Sequence, residues 1–349
     1  MSDDSNQKND PGFMNIDRRV LLGGGALLGA AAMVGGPKLA FAQDKSPKDY
    51  RFGISIPFSG LDAYQNLIAG YEAAMEQLGG EVTIVEANYD VKKQADQIAT
   101  LVSSGVDALI VLPTDPAGVS NAVQAAVAAG MPTFCTNAYV PGATVVSTSI
   151  HDGFGMGETS ARYLAERLGG KGKIGIITLP LNEGWATRTM GMEFALRDYP
   201  DIEVVAEWPF DATLKVTARD AVDNMLTAHP DLSAIWASWD GAAIEATLAM
   251  RAAGRDDMFV TGIDGGRQAF EYIKAGTQFV FTVAQSFFQE SYYSVYFAHQ
   301  YLGGRPAPRF VINSAYAVTQ ESLENLSVEE AAMYGRFGKA REFGWQRVA

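Results

Sequence analysis

The side chains that usually carry catalysis are scarce in this chain. It holds one cysteine, Cys135, and three histidines, His151, His229 and His299, spread along 349 residues. A lone cysteine makes neither an intrachain disulfide nor a cysteine-based zinc site, and the scattered histidines leave little for a metal cluster. Cys135, in an apolar stretch, reads as a small buried residue. His151-Asp152 falls where the chain is expected to cross between two halves, which suits a hinge better than an acid–base pair. Gly170-Lys-Gly-Lys-Ile-Gly175 matches G-x-G-x-x-G, but it precedes a strand, whereas dinucleotide binding needs strand, glycines, then helix. No Walker-type Gly-Lys-Ser/Thr is present. No cofactor or metal is expected, and binding becomes the leading chemistry over turnover.

Composition narrows the partners. The chain is 48% apolar and 19% charged, enough for a sizeable core, and its length fits about two domains of roughly 150 residues. The 40 acidic against 27 basic residues give a net charge of −13, which argues against nucleic acid as a main partner.

The first forty residues read as an export address. A polar leader is followed by Arg18-Arg19, then by an apolar run of 17 residues, Val20 to Gly36, with six glycines. That run is short for a membrane span, which needs about 20 residues, and Ala40-Phe41-Ala42 gives the small-residue pattern of a cleavage site. The paired arginines, the long leader and Lys38 resemble a twin-arginine signal, with a general secretory signal as the alternative. Residues 1–42 carry four acids and four bases, so the mature chain of about 307 residues keeps the −13 and is expected in the periplasm.

The rest alternates strands and helices. Apolar or β-branched runs at 51–57, 82–85, 108–112, 133–136, 173–178, 203–208, 234–238, 259–263, 279–284 and 311–318 read as strands. Helical spacing marks 63–79, 92–104, 117–129, 157–168, 186–198, 214–228, 241–253 and 287–302, with glycine stops after several. This alternation predicts an α/β fold with doubly wound parallel sheets covered by helices. Residues 107–137 and 233–264 share one order: buried strand, turn with Asp115 or Asp240, Ala-rich helix, Ala-Gly stop and second strand. Generic β-α-β convergence could give the same likeness. Taken as a repeat, it implies two lobes, with Asn137 and Asp264 at matching strand ends on opposite walls of one cleft.

In this order, Val106–Pro116 (VDALIVLPTDP), Leu226–Asp231 (LTAHPD), Thr261–Gly265 (TGIDG) and Thr282–Gln285 (TVAQ) make residues 50–320 resemble the type I periplasmic binding proteins of ABC importers, the ribose-binding group above all. Cytoplasmic repressors share that fold but carry a helix-turn-helix in front, where this chain has its export signal. The resemblance implies a sugar held between the lobes by planar polar groups, with aromatic rings on its faces. Tyr64 matches a ring-stacking aromatic, Arg188 opens an Arg-x-x-Gly stretch ending at Gly191, and Asp264 and Gln285 match directly. Asn137 and Ala138 stand where the family has Asp and Arg, and Trp239 where the ribose group has Asn. A carboxylate accepts from two neighbouring hydroxyls and a guanidinium donates to two oxygens, while an indole covers a ring's CH face. Phe58, Asp62 and Trp185 are further candidates for the cleft lining. The departures from the pattern make ribose itself doubtful.

Each candidate has an ordinary reading beside it. Arg188 could pair with Glu183 or Glu193, Asp264 could make an Asx turn before Gly265-Gly266, and Gln285 could serve a hinge. Trp185 is a lid or a packed loop aromatic, and Trp236, inside a strand, belongs to the core. The resemblance implies the domain plan: an export signal over 1–42, one lobe of 48–151 plus 286–314, another of 152–285 plus 315–321, and a C-terminal extension over 322–349, where 323–334 could form a helix. The function it implies is capture of a monosaccharide or polyol by a monomer that docks on ABC permease and ATPase subunits. The alternatives are a ligand-presenting receptor that docks on a chemoreceptor, and an exported carbohydrate-active enzyme.

Overall fold

The computed structural model describes residues 46–348 except 61, 181–182 and 212–214. The expected export signal over 1–42 lies outside the described residues, which all belong to one compact unit. The first sheet is built from β1 (Arg51–Ile56), β2 (Glu81–Glu86), β3 (Ala108–Val111), β4 (Thr133–Thr136) and β5 (Ser147–His151), and from β11 (Phe310–Asn313) late in the chain. Its order is β11-β5-β4-β3-β1-β2, parallel throughout. The second holds β6 (Lys171–Thr178), β7 (Asp201–Pro209), β8 (Leu232–Ala237), β9 (Phe259–Asp264), β10 (Phe279–Gln285) and β12 (Ala315–Thr319). Its order is β12-β10-β9-β8-β6-β7, and only β12 runs antiparallel.

Helices cover both faces of each sheet, so the central strands are apolar along their whole length rather than alternating. All four residues of β3 are buried, as are all but Ser233 of β8. Two apolar clusters flank the first sheet, one around Phe52, Tyr71 and Phe134 under α1 (Asp62–Leu78) and α9 (Phe287–Leu302), the other around Ile98, Leu109 and Val123. Two more flank the second, around Phe270 and Met250 and around Trp236 and Ile176. Trp236 is thus core, as its place inside a strand predicted.

Between the sheets the chain passes through single residues. Asp152 separates β5 from α4 (Gly153–Arg167), Ser286 separates β10 from α9, and Ser314 separates β11 from β12. The stretch expected as one strand over 311–318 is therefore two strands in different sheets. β5 escapes sequence reading because Ser147, Thr148 and Ser149 are polar, although all three are buried. The helix expected from 157 starts at Gly153, where the Asp152 side chain accepts the Gly155 N–H; three glycines in its first turns hide it from propensity. The helix α8 (Arg267–Lys274) was also not anticipated, being only eight residues long. In the extension the single helix expected over 323–334 is replaced by a 3₁₀ turn (Glu321–Leu323) and a short α10 (Val328–Ala331). Ser327 and Glu330 cap each other's backbone N–H, which starts the helix at 328.

Two glycines bring α4 and α5 (Glu183–Leu196) together backbone to backbone. A Cβ on Gly157 would sit 1.9 Å from the Arg188 carbonyl oxygen, and one on Gly191 would sit 2.0 Å from that of Phe154. No rotamer relieves a clash with backbone, so the helices must separate and carry Arg188 with them. Gly191→Val is expected to lower the unfolding free energy by about 1–3 kcal/mol, measured by urea denaturation.

Candidate functional site

Open α/β sheets bind ligands beyond the carboxyl ends of their strands, and Asn137, Asp264 and Gln285 stand at such ends. On the second sheet, Asp264 ends β9 and Gln285 ends β10. Arg188 reaches them from α5. One carboxylate oxygen of Asp264, Oδ1, accepts from Arg188 Nη2 at 3.0 Å and from Gln285 Nε2 at 2.6 Å. Arg188 Nη1 donates to the Ser238 carbonyl oxygen at 2.7 Å. Arg188 therefore pairs with Asp264, not with Glu193; the Glu183 side chain lies outside the described residues. The Arg188 side chain is 3% exposed and that of Asp264 21%, so the carboxylate is the member that still meets solvent. Among the described residues, Arg188 Nε and Gln285 Oε1 are buried without a hydrogen-bond partner.

The turn that presents Asp264 is strained. Its φ of +141° is rarely adopted by a residue with a Cβ, at a cost of order 1–3 kcal/mol. The next two residues are held by Asp240, at the start of α7 (Asp240–Ala252): its Oδ2 accepts the N–H groups of Gly265 at 2.7 Å and Gly266 at 3.1 Å. Thr282 Oγ lies 2.6 Å from the other oxygen. Asp240 is buried, and burial first, then the charge of Asp264, raise its pKa to about 7. Burial also raises Asp264, against the opposing pull of the Arg188 guanidinium.

The first sheet contributes Asn137, which follows β4 with φ +68°. Its Nδ2 donates to Glu290 Oε2 at 3.1 Å. Glu290, on α9, is fully buried, and its Oε1 lies 3.5 Å from His151 Nδ1, too long for a strong hydrogen bond. Behind Asn137, Tyr71 OH, Thr136 Oγ1 and Ser294 Oγ form a buried chain with 2.9 Å links that ties α1, β4 and α9 together. Tyr64 and Phe58 both meet Tyr89, with ring centroids 6.5 and 5.6 Å away. Burial raises the pKa of the Tyr64 phenol, and the charges of Asp264 and Glu290, one from each sheet's side, both add to the effect.

The remaining candidates stand as follows. Trp239 precedes α7, half-buried, with its indole edge-on to Phe210 at 5.7 Å. Trp185 is half-buried in the first turn of α5. Asp62 opens α1, but its side chain lies outside the described residues. Ala138, where the family carries an arginine, is buried. Glu290 and Tyr89 were not anticipated. Glu290 had a signal: it is the only acid in the aromatic run 287–302, and a carboxylate on an apolar helix face needs a reason to be there. Burial pushes the Cys135 thiol up to about 12, which leaves it protonated at neutral pH. Among the described residues no group of three or more His, Cys, Asp or Glu could hold a metal ion. Together these groups carry donors and acceptors of the kind that hydroxyls pair with.

Comparison with known proteins gives the same kind of molecule. The periplasmic binding protein domain matches residues 52–306. The ribose import binding protein of Bacillus subtilis is 31% identical over 229 residues, covering 65% of this chain and 73% of that protein. A xylitol-binding protein of Mycolicibacterium smegmatis is 32% identical over 196 residues, 54% of this chain and 55% of that one. A Mycobacterium smegmatis ABC transporter solute-binding protein with bound glycerol aligns with a TM-score of 0.73 at 27% identity, over 80% of this chain and 98% of that one. One from Bacillus halodurans with bound myo-inositol gives 0.72 at 26%, over 80% and 97%.

Asp240 sets a pH dependence. Unfolded, it ionises near the usual 3.8; folded, near 7. The folded state is therefore the better proton binder between these values, and stability from this group is full below about pH 4 and lost as pH rises towards 7. Asp240→Asn keeps an acceptor for both glycine N–H groups and a donor for Thr282. Chemical denaturation at pH 4, 5.5 and 7 is expected to show a smaller decline for the variant than for the parent, the difference being on the order of a few kcal/mol at most.

Proposed function

The chain belongs to the periplasmic binding protein domain family, and from that premise we propose that it captures a small polyhydroxylated solute, a monosaccharide or polyol, and delivers it to an ABC importer. The observation that carries this reading is the convergence of Arg188, Asp264 and Gln285 at the strand ends of one lobe, with unpartnered polar atoms buried among them. A ligand hydroxyl can accept from a guanidinium N–H such as Arg188 Nε and donate to an amide oxygen such as Gln285 Oε1. The sugar- and polyol-binding relatives support the same class.

Asn137 and Glu290 would read the opposite edge of the ligand, and Tyr64, Phe58 and Trp239 would cover its faces, with Trp185 and Asp62 at the rim. Trp239 brings bulk and no hydrogen-bonding amide, which favours a hexose, a polyol or a pentose other than ribose. Capture closes the lobes about the three crossings at Asp152, Ser286 and Ser314. The closed form docks on a membrane permease whose ATPase subunits supply the energy, and the solute leaves unaltered. On this reading the protein works outside the cytoplasmic membrane, exported by a signal over 1–42. A micromolar affinity corresponds to about −8 kcal/mol, within reach of a few charge-assisted hydrogen bonds and ring stacking.

Titration calorimetry over a sugar and polyol panel is expected to give at least one solute that binds and is recovered intact by chromatography. Asp264→Ala, which strands the Arg188 charge, should weaken that solute about 100-fold. Equal affinity for parent and variant would remove Asp264 from the site, and an altered solute would make the protein an enzyme.

A further inference from the structure

The chain after residue 320 lies beyond the family match, which ends at 306, yet it is built into the second lobe. Tyr334, Ala331, Ala340 and Trp345 are buried in the cluster around Phe270. Lys274 Nζ donates to the carbonyl oxygens of Leu323 and Leu326, each at 2.7 Å, and Trp345 Nε1 to that of Ser322 at 3.1 Å. The last residues pair with β12, through Ala317 N to Gln346 O at 3.0 Å and Val348 N to Ala315 O at 2.9 Å.

From this anchor, residues 332–337 run to the crossing at Ser286. The Tyr334 hydroxyl donates, shared between two acceptors, to the carbonyl oxygen of Gln285 and to that of Asp264 at 3.2 Å. Ser286 Oγ donates to the Gly335 carbonyl oxygen at 2.9 Å. The Arg336 guanidinium lies 5.5 Å over the Phe288 ring, and the Phe337 ring meets Tyr292 at 4.7 Å and Tyr293 at 5.7 Å on α9. The segment is therefore pinned on the helix of one lobe while its tyrosine touches the strand ends of the other.

We propose that Tyr334 is a positioning residue for solute binding, fixing the backbone from which Asp264 and Gln285 reach the ligand. Asp264 sits at φ +141°, a conformation its neighbours must enforce. Asp240 holds the N–H groups after it and Tyr334 holds its carbonyl, so the strained peptide is gripped from both sides. The fit is close: a Cβ on Gly265 would lie 2.9 Å from the Tyr334 hydroxyl. Without that hydroxyl the two carbonyls lose a buried donor, and the turn relaxes, withdrawing the carboxylate from Arg188 and Gln285. The affinity part of this inference rests on the solute-binding reading; the positional part does not.

Tyr334→Phe keeps the ring and its packing and removes only the hydroxyl. Leu323→Ala serves as control, since it perturbs the same buried extension near its start, eleven residues before Tyr334. Three measurements decide: amide hydrogen exchange of the ligand-free protein, calorimetric affinity for the best solute of the panel, and Tm. Tyr334→Phe is expected to accelerate exchange at 264–266 and 285–286 and to weaken binding about 10-fold, while the control leaves both unchanged at a comparable loss of Tm. Unchanged exchange in Tyr334→Phe, or equal loss of binding and protection in the control, overturns the inference. If the parent binds no solute of the panel, the solute reading fails alone, and exchange still decides whether Tyr334 positions the turn.

Discussion

The site depends on keeping one peptide in a conformation it would not choose. Asp264 carries a side chain at a φ where glycine is at ease and other residues are not. It is the last residue of β9, paired with Ala284, and the chain turns away from the sheet after it. Enforcement comes from a buried carboxylate that takes the next two N–H groups. Asp240 is itself costly, since desolvation opposes its charge, and three hydrogen bonds offset only part of that cost. A fully buried acid thus stabilises the presentation of a partly exposed one.

The same division of labour recurs around Arg188. The guanidinium is buried and committed to Asp264 and to the Ser238 carbonyl. What places it is a helix crossing that only hydrogen side chains permit, at Gly157 and Gly191. On the first sheet, the buried Tyr71–Thr136–Ser294 chain lies behind the end of β4 that carries Asn137. These polar groups are thus held by packing and hydrogen bonds one layer behind them, which is what preorganisation of a binding site would call for.

Much of this was legible in the sequence, for definable reasons. Strands buried on both faces leave apolar runs such as Ala108–Val111, and helix stops leave Ala-Gly, so the α/β alternation and both sheets could be read. Asn137, Asp264 and Gln285 announced themselves by following such runs, because strand ends are where open sheets place their polar groups. Polarity hid β5, whose serines and threonine are buried but look like loop residues. The cap at Ser327 decided where the extension's helix begins, and a capping contest between nearby serines and acids is hard to settle by pattern alone. Glu290 and Tyr334 were missed because their partners are distant in sequence: 153 residues separate Glu290 from Asn137, and 70 separate Tyr334 from Asp264.

The three one-residue crossings bear on how the molecule comes to be folded. Because β11 arrives at Phe310, the first sheet lacks its outer strand, and α1 its partner α9, until most of the chain has emerged. Neither lobe is one continuous stretch of chain, and each takes its last edge strand from Phe310 onward. Contacts of such long sequence separation slow folding. A chain that crosses a membrane unfolded therefore has time to do so, and one exported already folded must be held back until its last strands are made.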